Sequence, residues 1–176
     1  MARIVNVASQ IHEVTETRKT NVEQEMTIKT KILAVLLLSL MTNMFVNAQS
    51  RRDEKTLAEI RAVLDSQRDA WNRGDIDGYM QGYDRSDATV FVSGDSVNHG
   101  WQTVLDRYKR NYSTREKMGK LTFSDLETKL LNSKTAVVIG RWHLQRANDE
   151  PHGRFTLIFR RTKNGWKIIH DHTSSA

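Results

Sequence analysis

Two histidines near the end of the chain are the side chains in this sequence best suited to moving a proton. His170 and His172 flank Asp171 in a β-forming run. A neutral imidazole can accept a proton near pH 7, so either histidine is a candidate catalytic base if the protein is an enzyme. His-x-His is also a metal-ligand spacing on a strand, but no third ligand is identifiable, and we predict no metal site. The structural alternative is that both imidazoles are hydrogen-bonded polar groups at a sheet edge or a dimer interface, with no role in catalysis.

Arginines on two preceding β-forming runs could bind an anion. Residues two apart share one face of a strand, which places Arg141 with His143 and Arg154 with Thr156. The planar guanidinium fork binds carboxylate or enolate oxygens through two hydrogen bonds. If this polar face is the concave one, it forms a ligand-binding pocket. The predicted polar pocket face consists of Arg141, His143, Arg154, Thr156, His170 and His172.

The elements that must position these residues follow from hydrophobic periodicity. Helical spacing predicts a long first helix over 54–73 followed by Gly74, a short second helix capped by Asp75, and a third helix over 101–112. A hairpin is expected over 89–98, and four strands joined by hairpins over 121–130, 135–144, 154–161 and 166–173. The predicted fold class is α+β: a cone-shaped, curved antiparallel sheet with three helices from the N-terminal half on its concave side.

Aromatic residues on the helices complete the expected pocket. Trp71, Tyr79 and Tyr83 lie on the apolar faces of the first two helices and would form an aromatic wall opposite the sheet. An apolar pocket with a few convergent polar groups is the usual composition of a small-molecule site. The alternative for Trp71, as for Trp142 and Trp166, is packing in the core.

Composition excludes several classes of chemistry. The chain has no cysteine, so a thiol nucleophile, a redox pair and a cysteine-based metal site are ruled out. Its net charge of +6 comes from basic residues interspersed with acidic ones, whereas nucleic-acid binding favours a denser basic stripe. We expect no nucleic-acid partner and no cofactor.

The N-terminal part has the pattern of a targeting segment. Residues 26–48 contain a lysine-flanked start, an apolar run of about ten residues and small residues at Val46 and Ala48, as in a secretory signal peptide. We predict cleavage after Ala48, a periplasmic or secreted protein without stable membrane association, and a single domain over 49–176. An uncleaved membrane anchor is the alternative. Residues 1–25 are expected to be either a disordered tail or an extension upstream of a true start at Met26.

Several motifs of the predicted domain resemble a known superfamily. They are Ala70-Trp71-Asn72-Arg73-Gly74-Asp75, Gly100, Gly140-Arg141-Trp142, Gly153-Arg154-Phe155-Thr156-Leu157-Ile158, and the run from Gly165 to Ser174 that contains Trp166 and His-x-His. The chain is similar to the nuclear transport factor 2-like superfamily, in its SnoaL-like branch of secreted proteins, related to the association domain of calcium/calmodulin-dependent protein kinase II. This resemblance implies a cone-shaped pocket between the sheet and the first two helices. It also implies a homodimer through the outer side of the sheet, and arginines in the pocket, with Arg141 near one such position.

Two functions remain open, because the superfamily includes both enzymes and non-catalytic modules. The favoured one is an exported binding or assembly module whose basic, aromatic pocket holds an anionic or carbonyl-bearing small molecule. The alternative is a cofactor-independent isomerase, cyclase or dehydratase using His172 or His170 as general base. Strand alternation places Asp171 on the face opposite the two histidines, which argues against a carboxylate base in the pocket.

Overall fold

The computed structural model describes residues 2–176, with side-chain surroundings given from residue 13 onward except at positions 14, 22, 28, 43 and 45–47. Within this part of the chain there are four helices and six strands. The helices are α1 (Ala2–Arg73), α2 (Ile76–Met80), α3 (Trp101–Asn111) and α4 (Arg115–Met118). The strands are β1 (Val90–Ser93), β2 (Ser96–His99), β3 (Lys120–Asn132), β4 (Thr135–Gln145), β5 (His152–Thr162) and β6 (Gly165–Thr173).

The chain divides into two compact units, Met1–Arg52 and Asp53–Ala176. In the first unit, residues 2–25 belong to α1, and the leucines of the predicted signal segment are more than half exposed. Among the described residues, no helix has an apolar stretch long enough to cross a membrane. Met1 and the side chain of Val46, on which the expected start and cleavage sites partly depend, lie outside the described residues.

The second unit is built on one curved sheet with the strand order β2-β1-β6-β5-β4-β3. Strands β3 to β6 form the expected antiparallel meander. Strand β1 departs from this pattern because it pairs parallel with β6, with Val90 beside His170 and Phe91 beside Asp171. The last strand is therefore an interior strand, flanked by β5 on one side and β1 on the other.

The corner between the first two helices forms as its sequence predicts. Gly74 has a φ of +84° at the end of α1, and the amides of Gly74 and Asp75 donate to the carbonyls of Trp71 and Ala70 at 2.8 and 2.9 Å. This pair of bonds is a Schellman motif, which requires a left-handed residue. Asp75 then caps α2 by accepting from the amide of Gly78 at 2.7 Å. The tight corner brings aromatic residues of α1 and α2 onto the same side of the sheet.

The sheet has one apolar face covered by the helices and one polar face that is more exposed. On β5, Phe155, Leu157 and Phe159 are buried in the core. Removing such large apolar side chains from water is the dominant favourable contribution to folding. Arg154 and Thr156 alternate with them and are exposed. A β-bulge interrupts β6 at Ile169, since Ile158 pairs with His170 but Phe159 with Ile168.

Candidate functional site

A cavity of about 260 Å³ lies between the apolar face of the sheet and the helices. Its wall is mainly aromatic. The aromatic residues that line it are Trp71, Tyr79, Tyr83, Phe91, Tyr108, Tyr112, Phe123, Trp142 and Phe155. The polar residues that line it are Gln67, Ser93, Arg107, Asn111, Asp171, Thr173 and Ser175.

The aromatic wall is held together by edge-to-face and tilted ring contacts. Trp71 lies at the centre, with ring centroids 5.2 Å from Tyr79 and 4.7 Å from Tyr112. Its indole N–H donates to the carbonyl of Met118 at 3.1 Å, so its own polar group is satisfied. Such pairs contribute about 0.5–1.5 kcal/mol each beyond the burial of their area. The wall is thus a fixed surface suited to flat apolar ligands.

Asp171 is a buried carboxyl group in the cavity wall. It is 5% exposed, and the Tyr83 hydroxyl donates to its Oδ2 at 2.6 Å. Its other oxygen, Oδ1, is buried and has no hydrogen-bond partner among the described residues. Burial raises the pKa of Asp171 from 3.8 to about 7, while the hydrogen bond from Tyr83 lowers it. Both protonation states of this carboxyl are therefore accessible at neutral pH.

The tyrosine hydroxyls around Asp171 are donors. Burial is the largest cause that raises the pKa of Tyr79, Tyr83 and Tyr108 well above 10, and the nearby Asp171 raises each pKa further. The hydroxyls of Tyr83 and Tyr108 lie 3.5 Å apart. A small cluster of protonated phenols thus surrounds one titratable carboxyl.

Helix α3 contributes the remaining polar part of the wall. Arg107, Tyr108, Asn111 and Tyr112 recur at helical spacing and all line the cavity, so one side of α3 faces it. The guanidinium of Arg107 lies over the ring of Phe91, 5.1 Å from its centroid.

The predicted aromatic residues lie in the cavity wall. Trp71, Tyr79 and Tyr83 line it as the sequence indicated, and their contact with a ligand stays a prediction. Trp142 also lines it, whereas Trp166 is buried in the core beneath.

The predicted polar pocket face does not line the cavity. Arg141, Arg154, Thr156 and His172 are exposed on the opposite face of the sheet, and His170 is partly buried there. The expectation that this face is concave is wrong, because the alternate residues of the same strands are large and apolar and are buried under the helices. Whether any of these polar side chains binds a ligand elsewhere stays a prediction.

The β-bulge at Ile169 explains the arrangement in β6. Strict alternation groups Ile168 with His170 and His172, but the extra residue shifts the pattern. Ile168 and Asp171 consequently both line the cavity, while the two histidines lie on the other face. His143 is also outside the cavity wall, with its Nε2 3.4 Å from a carboxylate oxygen of Glu150.

Asp171, Arg107 and Tyr108 line the cavity but are not among the site residues predicted from the sequence. The signal for Asp171 was present: a carboxylate in a strand otherwise rich in apolar residues is expensive to bury. Across the described residues, no group of three or more histidine and acidic side chains is arranged to hold a metal ion.

Comparison with known proteins places this geometry in a family. The model of the SnoaL-like domain matches residues 60–176, which include every residue of the cavity wall. No curated protein matches the chain.

Solved structures share both the sequence and the fold. A nuclear transport factor 2-like protein of unknown function from Shewanella oneidensis is 40% identical, with a TM-score of 0.65 over 67% of this chain and 98% of that one. Two others show the fold alone. A putative calcium/calmodulin-dependent protein kinase II association domain from Xanthomonas campestris is 18% identical (TM-score 0.55; 67% and 86% of the two chains). A nuclear transport factor 2-like superfamily protein from Salmonella enterica is 21% identical (TM-score 0.57; 69% and 92%). The family-model match and the 40% identical structure together establish that the chain belongs to the SnoaL-like family of nuclear transport factor 2-like proteins.

Proposed function

We propose that the protein binds a small, flat, largely apolar molecule whose hydroxyl or carbonyl group is hydrogen-bonded by Asp171. The observation that supports this is Asp171 Oδ1, buried in the cavity wall without a partner among the described residues. A buried polar atom left without a hydrogen bond costs about 1–3 kcal/mol, and a ligand removes that cost.

The buried Asp171 carboxyl determines which ligand group can bind next to it. The basic pocket expected from Arg141 and Arg154 would select an anion, but the group buried in the wall is a carboxyl. With a pKa of about 7, Asp171 can accept from a hydroxyl when ionised and donate to a carbonyl when protonated. A hydroxyl or carbonyl is thus the matching group, and an anion at this end is disfavoured.

Binding is tested by native mass spectrometry of the protein purified from its own host, followed by calorimetry with the adduct that is found. The expected result is a discrete adduct whose affinity falls about tenfold or more in Asp171→Asn at pH 8, where the hydroxyl loses a charged acceptor. Arg141→Ala is the matched control on the opposite face and is expected to leave the affinity unchanged. An adduct that is absent, or indifferent to Asp171, contradicts the proposal.

A second candidate is proton transfer next to a carbonyl, as in an isomerase, cyclase or dehydratase. One observation favours it: the pKa of Asp171 is close to the operating pH, which suits a general base. The base would then be Asp171 rather than His170 or His172, and the protonated phenols of Tyr79 and Tyr108 would donate to the developing enolate oxygen.

This second candidate is tested with 2-tetralone, an aromatic ketone that exchanges protons next to its carbonyl. Nuclear magnetic resonance in deuterated water is expected to show faster deuterium incorporation with the protein than without it, and Asp171→Asn is expected to remove the acceleration. Binding of 2-tetralone without accelerated exchange rules out catalysis on this ketone and leaves the binding function intact.

We further propose export. The apolar residues of the segment over 26–48 are exposed in the first unit, as expected for a segment that serves translocation rather than the core. Intact-mass measurement of the protein from its host's envelope and medium is expected to give a chain starting at Gln49. A mass that includes residues 26–48 contradicts cleavage.

We also propose a homodimer through the outer face of the sheet. One row across the paired strands of this face has two polar side chains in the middle and apolar side chains at both ends: Ile139, Thr156, His172, Val92 and Val97. Ile139 and Val97, at the two ends of this row, are 43% and 57% exposed, and a second sheet packed across the row would cover both side chains. Light scattering is expected to show a dimer that Ile139→Glu converts to a monomer; a wild-type monomer contradicts the proposal.

A further inference from the structure

Arg107 is a partly buried cation in the wall of an otherwise aromatic cavity. It projects from α3 with Asn111 one helical turn further along, and both residues line the cavity. The contact with the ring of Phe91 satisfies part of the charge of its guanidinium. A ring face offers no hydrogen-bond acceptor comparable to a carboxylate, so the five N–H donors of Arg107 still need partners.

No described residue provides those partners. Within residues 13–176, Arg107 has neither an ion pair nor a side-chain hydrogen bond, although other basic side chains nearby are engaged. Lys109 on the same helix bonds to Asp77 at 2.8 Å, and Arg115 donates to the carbonyl of Trp71 at 2.9 Å. The guanidinium of Arg107 is half-buried, and none of its nitrogens is among the fully buried atoms that lack a partner, so its N–H donors reach the open part of the cavity and are available to a ligand.

Asp171 does not neutralise Arg107. The carboxyl bonds to Tyr83, and its pKa is raised by burial with only that hydrogen bond opposing the rise. A cation in contact would favour the carboxylate and lower this pKa. The cavity therefore presents two separate polar groups, an unpaired guanidinium and a buried carboxyl, with aromatic rings around them.

We propose that the ligand carries a carboxylate, which Arg107 binds with the assistance of Asn111, in addition to the hydroxyl or carbonyl group bound by Asp171. This inference rests on the proposed binding function and specifies its ligand class: aromatic carboxylic acids with a phenolic hydroxyl or a ring carbonyl at the far end. The guanidinium fork matches a carboxylate through two parallel hydrogen bonds, and the Asn111 amide supplies a further donor. In this proposal the cavity's anion-binding group is on a helix, whereas the arginines predicted from the sequence, Arg141 and Arg154, lie on strands outside the cavity wall.

The test compares acids with their neutral amides. A panel of hydroxylated aromatic acids of one to three rings, each paired with its carboxamide, is titrated by calorimetry; 4-hydroxycinnamate and 4-hydroxycinnamamide are the first pair. Wild-type protein is expected to bind the preferred acid about ten- to a hundredfold more tightly than its amide, as for hydrogen bonds to a charged group. Arg107→Gln is expected to abolish this preference while leaving the affinity for the amide unchanged.

The controls separate a specific contact from general charge. Arg110→Gln removes the same charge from an exposed position on the same helix and is expected to keep the preference. Arg107→Lys retains the charge without the fork and is expected to give an intermediate preference. Thermal unfolding of each variant checks that it is folded, and Arg107→Lys provides the test if Arg107→Gln is not.

The failures of the two proposals are distinguishable. Equal affinity for acid and amide in the wild type, or a preference that persists in Arg107→Gln, overturns the role of Arg107 and leaves the binding function standing. A cavity that takes neither the acids nor the amides overturns the binding function, and this inference with it.

Discussion

The two faces of the sheet differ in what their polar residues have around them. On the outer face, Arg141 and Arg154 are exposed opposite each other on β4 and β5, and His172 is exposed opposite Thr156. On the inner face, Asp171 is surrounded by aromatic residues and lacks a partner for one oxygen. The exposed side chains of the outer face cost little free energy because water solvates them. Burial of the Asp171 carboxyl is unfavourable, and the fold retains the group in spite of this cost. In this sheet, the face with many polar side chains is the solvated surface, whereas the candidate site is marked by a polar group buried among aromatic rings.

The largest expected difference between the two faces is tested with adjacent residues of β5. Leu157→Ala removes buried apolar atoms from the inner face, where Leu157 lines the cavity, and is expected to lower the free energy of unfolding by about 2–5 kcal/mol. Thr156→Ala, one residue away on the outer face, is expected to change it by less than about 0.5 kcal/mol. Urea unfolding of both variants measures the difference, and similar values for the two would show that the faces are not distinct.

The second test concerns pH. The folded protein holds the proton of Asp171 to a pKa of about 7, whereas the unfolded chain releases it near 3.8. Between these values the folded state binds the extra proton, so this group makes the free energy of unfolding fall as pH rises, with the full cost present above pH 7. Asp171→Asn removes this cost, and its stability relative to wild type is expected to rise by about 1.4 kcal/mol per pH unit over this window.

The control for pH is His172→Asn, whose side chain lies on the outer face. We measure urea unfolding of wild type and both variants from pH 4 to pH 8. The relative stability of His172→Asn is not expected to follow the rise seen for Asp171→Asn. Parallel pH profiles for wild type and Asp171→Asn would mean that burial does not raise this pKa.

The smallest expected effect is that of the hydrogen bond between Tyr83 and Asp171. Tyr83→Phe removes the donor and is expected to lower the free energy of unfolding at pH 8 by about 1.5–3 kcal/mol, because the acceptor is then charged. The loss is expected to be smaller at pH 4, where the carboxyl is protonated. Tyr112→Phe, elsewhere in the cavity wall, is the matched control, and an equal loss in both variants would exclude a specific role for the bond.

Much of the fold could be predicted because local chemistry dictates it. The corner at Gly74 and Asp75, the hairpins and the meander each follow from turn residues and periodicity within a few positions. Helix α4 was missed because four residues are too few to show a period. The parallel pairing of β1 with β6 was missed because these strands are far apart in sequence and no local signal links them.

The site was predicted only in its aromatic half. Alternation sorted β4 and β5 into two faces, but choosing the polar face as the inner one ignored the burial required by Phe155 and Leu157. In β6 the bulge at Ile169 broke the alternation itself, and nothing in the sequence marks where an extra residue will be accommodated. The bulge moved only Ile168 to the face of Asp171; Asp171 and the histidines lie on opposite faces as alternation predicts, and the error was the choice of the inner face.

The interior position of β6 also affects how the chain can fold during synthesis. Strands β1 and β5 are both made before β6, yet each needs it as a neighbour. The sheet cannot close, and Asp171 cannot meet Tyr83, until the residues up to Thr173 have left the ribosome. Strands β3, β4 and β5 can pair with one another before then, so the cavity is the last part of this domain to close.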